Sequence, residues 1–167
     1  MLDPSIRPAV PDDAGAITRL VRSSISELCH DDHGGDADKI DSWLENKTED
    51  RITAWITAPD LFLFATSCGT GIAAAGCHRN DGVILMNYVS PFYRFQELSD
   101  GMLACLEASI FTLGLSSARL VSTRTAIPFY ERRGWRAYGK PIPCTGIIGQ
   151  PMAKTLFDSG VKAAQGI

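Results

Sequence analysis

The chain has 167 residues, of which 45% are hydrophobic and 21% are charged, and its formal net charge is −3. This length and composition suit one globular domain with its own hydrophobic core. The negative charge argues against nucleic-acid binding, and no apolar run reaches the roughly 20 residues that a membrane-spanning helix needs. The sequence therefore predicts neither a nucleic-acid partner nor a membrane partner.

The start of the chain and its cysteines indicate the compartment. The first eight residues, MLDPSIRP, lack the basic and apolar regions of a signal peptide. The five cysteines are scattered and form no CxxC pair, which is typical of reduced thiols. We therefore expect a cytoplasmic protein.

The first third of the chain predicts a short strand followed by helices. Ser5 to Val10 is the strand candidate, and Asp12 and Asp13 cap a helix with apolar residues at helical spacing. The segment CHDDHGGDAD, residues 29–38, is predicted to be a loop. A second helix includes Trp43, and a third begins after Thr48 and ends near residue 58.

Three short apolar runs follow, namely LFLFATS, IAAAGCH and VILMNYV. Turn residues separate them at 68–71 and 79–82, which predicts a meander of three antiparallel strands. The first of these turns, with Ile72, Ala73 and Ala74 after it, superficially matches a dinucleotide-binding fingerprint. That fingerprint needs a following helix, and the chain turns again within a few residues, so a hairpin is favoured.

The next region predicts a strand, a loop, a long helix and a return strand. The strand ends at Val89, and the helix has Leu98, Met102, Leu106, Ile110 and Leu113 on one face before Gly114 ends it. The return strand covers 119–123 and a short helix covers 125–133. Final strands are predicted at 135–138 and 152–156, joined by a Pro/Gly-rich loop. Residues 1–157 would form the domain and 158–167 a flexible tail.

The loop before the long helix has two interpretations. It is either an ordinary connection with a solvated Arg94, or a phosphate-binding loop that uses the free N–H groups and the dipole of the helix start.

The acidic segment 29–38 also has more than one interpretation. Its residues His30, Asp31, Asp32, His33, Asp36 and Asp38 favour a solvated loop over a metal site, and they would also suit an acidic rim that attracts a cationic ligand.

Two motifs, one at the loop before the long helix and one around the short helix, resemble those of the GCN5-related N-acetyltransferases (GNAT superfamily) and occur in the same order as in that family. Arg94-x-x-Glu97-x-Ser99 after Pro91 is similar to the family's acyl-coenzyme A motif, (Q/R)-x-x-G-x-(G/A). Thr123-x-x-Ala126-x-x-Phe129-Tyr130-x-x-x-Gly134-Trp135 is similar to its second motif, which is the more specific match. The resemblance covers nearly the whole chain. It implies an α/β fold of the α+β type, with a mixed, mostly antiparallel sheet of about six to seven strands flanked by about four helices.

The chain departs from the family pattern at three positions of the first motif and one of the second. Glu97 stands where the family has glycine, Phe95 where glycine is common, and Ser99 where glycine or alanine is found. Thr123 replaces a frequent asparagine. The Glu97 carboxylate would lie near two phosphate charges, which costs electrostatic energy unless the side chain turns to solvent.

The resemblance implies acetyl-CoA as co-substrate, no metal, and an amine acceptor that is a small molecule or a peptide. Tyr130 would be the general acid that protonates the departing thiolate. The pantetheine arm would enter a split between the strand ending at Val89 and the return strand. The residues implied to bind the co-substrate are Tyr88, Val89, Arg94, Phe95, Gln96, Glu97, Leu98, Ser99, Asp100, Thr123 and Phe129.

Several points stay open at this stage. Candidates for the general base are Glu27, His30, His33, His78 and Glu97. The acceptor would be shaped by 24–38 and 139–150, and the acidic character of the first segment favours a cationic amine. A homodimer is compatible with the sequence. The alternatives to an N-acetyltransferase are a catalytically silent binding or regulatory module altered at Glu97, and an unrelated metal-binding domain.

Overall fold

The computed structural model describes residues 5–93 and 97–157 and has an α/β architecture in which helices cover both faces of one open sheet. The helices are α1 Ala14–Leu28, α2 His30–His33, α3 Ala37–Leu44, α4 Glu49–Thr57, α5 Leu98–Thr112 and α6 Ile127–Glu131. The strands are β1 Ser5–Pro8, β2 Leu61–Cys68, β3 Gly71–Arg79, β4 Val83–Val89, β5 Ser117–Ser122, β6 Arg136–Ala137, β7 Ile142–Cys144 and β8 Ile147–Thr155. The predicted fold class is confirmed. Arg94, Phe95, Gln96 and the predicted tail lie outside the described residues.

The sheet runs in the order β1-β2-β3-β4-β5-β8-β6, with β7 paired to the outer part of β8. Neighbours from β1 to β4 are antiparallel, as the predicted meander requires. β4 and β5 are parallel, because α5 forms the crossover between them. Their register includes two pairs, Val83 with Arg119 and Ile84 with Leu120, and the strands diverge after these. The structure thus contains the split that the family resemblance implied.

Glycine makes the two turns of the meander sharp. Gly69, between β2 and β3, has a φ of 62°, which confirms a hairpin in place of a dinucleotide-binding turn. Gly82, before β4, has a φ of 87°, and a Cβ atom there would lie 2.9 Å from the carbonyl oxygen of Ser117. This close approach brings the start of β4 against the start of β5.

Two hydrophobic cores lie on opposite faces of the sheet. The first contains α1, α3 and α4 and includes the fully buried Ile17 and Ile25. The second contains α5 and α6 and includes Met102, Leu106 and Trp135. These helices bury the apolar faces that the sequence predicted, except that Leu113 is 42% exposed since α5 ends at Thr112.

A β-bulge in β4 distributes its side chains between the two cores. Cys77 of β3 pairs with Met86, and the next β3 residue, His78, pairs with Ile84, so Leu85 is the extra residue. Ile84 packs in the core of α5, whereas Met86 packs in the core of α1. Bulges are common beside active sites, and this one lies where β4 leaves β5.

Two segments predicted as loops contain regular structure. Within 29–38, residues 30–33 form α2, and the Asp36 carboxylate caps α3 by accepting the N–H groups of Asp38 and Lys39. Within 139–150, β7 and the first part of β8 form a hairpin. The last strand therefore begins at residue 147 and not at 152, and the described residues contain eight strands. None of the helices described is long and apolar enough to cross a membrane.

Candidate functional site

A cavity of about 240 Å³ lies where β4 and β5 diverge. We call it the split cavity. It is lined by 84–89 of β4, 120–123 at the end of β5, Ser24, Leu28 and Cys29 of the α1 region, Ser99 of α5, and Thr125, Ala126, Phe129 and Tyr130 of the α6 region. Residues from helices on both faces of the sheet line it, so the cavity passes between the two strands.

The split cavity brings together six of the predicted site residues. These are Tyr88, Val89, Ser99, Thr123, Phe129 and Tyr130. Glu97, Leu98 and Asp100 lie beside it at the start of α5 but do not line it. Whether these residues bind a ligand stays a prediction.

Tyr130 has the geometry of a hydrogen-bonded acid. Its side chain is 6% exposed, and its Oη accepts a hydrogen bond of 3.4 Å from Nδ2 of Asn87. Burial raises the pKa of the Tyr130 phenol to about 12. At neutral pH the phenol is therefore protonated and can donate a proton but cannot serve as a base. Asn87 was not predicted, although a polar residue within the apolar run VILMNYV was a usable signal.

Hydrogen bonds to the preceding loop fix the position of α6. The Thr123 hydroxyl accepts the N–H of Ala126 at 3.2 Å. The Asp32 carboxylate accepts the N–H groups of Arg124 and Thr125 at 2.6 and 3.2 Å, and also the Thr125 hydroxyl. Asp32 was predicted as part of a solvated loop or an acidic rim. Its carboxylate instead joins α2 to the loop before α6, the helix that carries Tyr130.

The first N–H groups of α5 have no hydrogen-bond acceptor within the helix. The first i→i−4 hydrogen bond of this helix runs from the N–H of Gly101 to the carbonyl of Glu97 at 3.1 Å, so the preceding N–H groups have no acceptor within the helix. Leu98 is buried, whereas Asp100 is exposed and forms an ion pair with Arg133 that lowers the pKa of its carboxyl group. Pairing with Arg133 offsets one of the negative charges near these N–H groups.

Glu97 is the residue before α5 and has a left-handed backbone, with φ of 58° and ψ of 13°. Among the described non-glycine residues it alone has a positive φ. Glycine adopts this conformation without strain, which gives a physical reason for the glycine of the family motif at this position. The Glu97 side chain is exposed, so the carboxylate can turn toward solvent.

One edge of β4 faces the split and has no strand partner among the described strands beyond Ile84. Tyr88 and Val89 pair with β3 on one side, whereas the β5 register ends at Ile84 on the other. Such an edge can bind an extended ligand as an additional strand would bind. Burial raises the pKa of the Tyr88 phenol, so this side chain is also neutral at physiological pH.

None of the predicted general bases lines the split cavity. Glu27, His30 and Glu97 are exposed. His33 is buried and uses both ring nitrogens, since Nε2 donates to the carbonyl of Ile25 at 3.0 Å and Nδ1 accepts the N–H of Gly35 at 2.9 Å. His78 is buried between β3 and α5, where its ring nitrogens bond the Arg79 carbonyl and the Ser109 hydroxyl.

The acidic segment also lacks the arrangement of a metal site. With both ring nitrogens of His33 and the Asp32 carboxylate engaged, the remaining candidates are exposed side chains. No three His, Cys, Asp or Glu side chains converge within residues 5–93 and 97–157. The metal-binding alternative gains no support from this arrangement.

A second cavity, of about 330 Å³, adjoins the first. We call it the tryptophan cavity. It is lined by Trp43, Asn46, Lys47, Arg51, Ile52 and Trp55 of the α3–α4 region, by Leu85, Met86, Tyr88 and 121–123 of the diverging strands, and by Cys144, Ile147 and Gly149 of the β7–β8 hairpin. The two cavities share Leu85, Met86, Tyr88 and 121–123, so they meet at the split. Three of its lining residues belong to the segment 139–150, which the family resemblance implied would shape the acceptor, whereas Lys47 and Arg51 were not among the predicted site residues.

Known proteins share this architecture. The model of the acetyltransferase (GNAT) domain family matches residues 31–156. A search of curated protein sequences gave no significant match. Many solved structures match, and three of them differ in their TM-scores as follows.

A GCN5-related N-acetyltransferase from Rhodopseudomonas palustris is 20% identical, with a TM-score of 0.83 over 93% of this chain and 98% of that chain. The PaiA N-acetyltransferase from Thermoplasma acidophilum, solved with coenzyme A, is 16% identical, with a TM-score of 0.78 over 92% and 99%. The ribosomal-protein-S18-alanine N-acetyltransferase from Escherichia coli is 16% identical, with a TM-score of 0.68 over 96% and 98%. At these identities the matches show a shared fold.

Proposed function

Because the chain belongs to the GNAT acetyltransferase family, we propose that it transfers the acetyl group of acetyl-CoA directly to a primary amine in a ternary complex. The observation that carries this proposal is the split cavity, where diverging strands, the start of α5 and the buried, protonated Tyr130 meet. The acceptor would be a small molecule or a peptide.

The described residues fit acetyl-CoA as co-substrate in two places. The unpaired edge of β4 at Tyr88 and Val89 suits the amide groups of a pantetheine arm. The N–H groups of Leu98, Ser99 and Asp100 suit the pyrophosphate, because the positive end of the helix dipole adds to their attraction for an anion. Ser99 connects the two places, since it lies on α5 and lines the split cavity.

Transfer then needs one nucleophile and one acid. The neutral amine attacks the thioester carbonyl carbon, and collapse of the tetrahedral intermediate breaks the C–S bond and forms the amide. The thiolate leaves with a free pKa of about 8.5 and takes a proton from Tyr130. The surplus proton of the amine passes to water, because the split cavity has no Asp, Glu or His among the described residues that line it. Water then returns a proton to the Tyr130 phenolate, so the proton lost by the amine replaces the one given to the thiolate.

A covalent route through a cysteine is disfavoured. Cys29 lines the split cavity, but burial, helped by the charge of Asp32, raises the pKa of its thiol to about 12. A thiol with this pKa is almost fully protonated at neutral pH and is a poor nucleophile. Direct attack by the amine requires no enzyme nucleophile.

The alternative is a catalytically silent module of the same fold, and Glu97 is the observation that favours it. We would titrate acetyl-CoA calorimetrically into the wild type and into Glu97→Gly, and measure thiol release with a panel of amines. Micromolar binding and amine-dependent thiol release by the wild type would support the enzyme. Absence of wild-type binding, restored in Glu97→Gly, would identify the silent module.

The Glu97→Gly variant is a clean probe because its effects on stability nearly cancel. Relief of the left-handed conformation gains about 1–2 kcal/mol, while the extra backbone freedom of glycine in the unfolded chain costs about 0.5–1 kcal/mol. We expect the free energy of unfolding to change by no more than about 1.5 kcal/mol and acetyl-CoA affinity to rise severalfold as a negative charge is removed. Unchanged affinity would show that the carboxylate points away from the phosphates.

We also propose that the protein acts in the cytoplasm as a domain ending near residue 157. All five cysteines are free thiols in the structure, which suits a reducing compartment. A homodimer remains part of the proposal. Sedimentation of the purified protein with and without acetyl-CoA would test it.

A further inference from the structure

The tryptophan cavity has an unusual charge pattern. Two cations, Lys47 and Arg51, line it, whereas none of the described residues that line it is an aspartate or glutamate. Ion pairs within the described residues involve other cations, namely Arg7, Arg79, Arg133 and Lys154. Two positive charges therefore face one cavity, and no carboxylate within residues 5–93 and 97–157 forms an ion pair with either of them.

This arrangement is costly in the empty cavity. Lys47 is partly buried, and burial together with the charge of Arg51 lowers the pKa of its ammonium group. Its Nζ donates to the side-chain carbonyl of Asn46, a neutral acceptor. The Arg51 guanidinium lies 5.7 Å from the ring centroid of Trp55, which holds it beside the cavity. An anion bound between the two cations would relieve both desolvation and repulsion.

The position of the cavity connects this charge pattern to the reaction. The tryptophan cavity shares Leu85, Met86 and Tyr88 with the split cavity. A molecule held in it can thus direct one end into the split, where the thioester would lie. Its volume of about 330 Å³ is at the lower end for small-molecule sites and suits a small acceptor.

The same charges affect the reacting amine. A positive potential and apolar walls both disfavour an ammonium ion relative to a neutral amine. Such surroundings help to supply the neutral nucleophile that the reaction needs in a site whose described lining residues include no Asp, Glu or His base. They also disfavour an acceptor with several positive charges.

We propose, resting on the acetyl transfer proposed above, that the tryptophan cavity is the acceptor site and that it selects a small primary amine with an anionic group. Lys47 and Arg51 bind the anion, a carboxylate or a phosphate. Trp43, Ile52 and Trp55 contact the apolar part, and the amine reaches the split. This acceptor differs from the cationic amine that the acidic segment suggested, whose Asp32 is occupied by hydrogen bonds.

The test compares matched acceptors in the thiol-release assay. One series contains straight-chain ω-amino acids of increasing length, and a second contains the corresponding aminoalkyl phosphates. Controls are the ω-amino amides, the simple alkylamines and spermidine. We expect the best anionic amine to exceed its neutral counterpart in kcat/KM by about tenfold or more, since charge-assisted hydrogen bonds are among the stronger ones. The two series distinguish carboxylate from phosphate.

Variants then assign the effect to the cavity. Lys47→Gln and Arg51→Gln should each raise KM for the anionic amine about tenfold, a much larger change in KM than for the alkylamine, which has no anionic group to lose its partner. Lys140→Gln is the matched control, because it removes the same charge from an exposed lysine outside both cavities. Titration of the anionic amines against tryptophan fluorescence measures binding without turnover, since Trp43 and Trp55 line the cavity.

The possible failures are distinguishable. Preference for spermidine or a neutral amine, equal behaviour of Lys47→Gln and Lys140→Gln, or neither acetylation nor binding of any anionic amine would each overturn the inference while leaving acetyl transfer intact. Absence of acetyl-CoA binding in the calorimeter would contradict the proposed function itself. Fluorescence titration would then still decide whether Lys47 and Arg51 form an anion site.

Discussion

The Tyr130 phenol is buried, hydrogen-bonded to Asn87 and protonated at neutral pH. We expect Tyr130→Phe to lower kcat about a hundredfold or more, because a positioned general acid contributes about 10²–10⁴-fold. Acetyl-CoA affinity should be nearly unchanged, since the variant removes one long hydrogen bond of 3.4 Å and no packing. The comparison is Tyr138→Phe, in which an exposed tyrosine loses the same hydroxyl. Unchanged kcat at saturating substrates would remove Tyr130 from the mechanism.

Single residues also show where sequence reasoning fails. His33 resembles a catalytic base in the sequence, yet both of its ring nitrogens are consumed by backbone groups of Ile25 and Gly35. Conversely, Lys47 and Arg51 stand in an ordinary polar helix start, and nothing in their local sequence marks them as cavity residues. Their roles depend on which distant strands pack opposite them, and that information is not local.

At the scale of elements, Asp32 joins α2 to the loop before α6. We expect Asp32→Asn to lower the free energy of unfolding by about 1–3 kcal/mol, because one oxygen that accepts hydrogen bonds becomes an NH₂ group that faces other donors. kcat should fall as well, since the displaced loop leads directly into α6, which carries Tyr130. Asp31→Asn makes the same chemical change at the exposed neighbouring residue and should stay within about 0.5 kcal/mol. Urea unfolding of both variants gives the comparison, and equal losses would refute the link.

The β7–β8 hairpin closes the tryptophan cavity by packing on α3 at Gly146. A Cβ atom there would lie 2.8 Å from the Lys39 carbonyl oxygen and 2.9 Å from the backbone nitrogen of Trp43, and Gly146 has a φ of 80°. We expect Gly146→Ala to cost about 1–3 kcal/mol and to raise the acceptor KM without changing acetyl-CoA affinity. Gly139→Ala is the control that distinguishes backbone strain from a steric clash. Gly139 also has a positive φ, of 64°, but a Cβ atom there would have no neighbouring atom within 4 Å. If both variants lose the same stability in urea, the contact with α3 is unimportant.

Elements with a local signal were predictable from the sequence. The turn residues between β2, β3 and β4 and the apolar period of α5 predict the meander and the crossover. The split between β4 and β5 was implied by the family resemblance and not by these local patterns. The β7–β8 hairpin was missed because its strand β7 is short and contains Pro143. The bulge at Leu85 was missed because it depends on the register of β3 against β4 and not on the residue itself.

At the scale of the whole molecule, the sheet separates two cores, and His78 connects the sheet to α5. The imidazole is fully buried and stacks on Phe62 with ring centroids 4.9 Å apart. Its Nδ1 donates to the Arg79 carbonyl, and its Nε2 accepts from the Ser109 hydroxyl of α5, both at 2.8 Å. Protonation would place a charge in this core and reverse the bond to Ser109, whose hydroxyl oxygen would then accept from Nε2–H. Burial accordingly lowers the pKa of His78 below its ordinary value of 6.5.

This lowered pKa predicts an acid-sensitive fold. The pKa of His78 in the unfolded chain is about 6.5, so below this pH the unfolded chain binds a proton that the folded chain does not bind. The free energy of unfolding is therefore highest above pH 6.5 and decreases as the pH falls, by up to about 1.4 kcal/mol per pH unit. Arginine partners lower the pKa values of the carboxyl groups of Asp13, Asp81 and Asp100. Protonation of these groups lowers stability only below about pH 4, so it does not account for a loss of stability between pH 6.5 and 4.5. Urea unfolding between pH 7.5 and 4.5 should therefore show a steeper loss for the wild type than for His78→Gln, which keeps a polar group but cannot titrate. Since the other two histidines are common to both proteins, parallel pH curves would mean that His78 binds its proton equally well in the folded and unfolded chain.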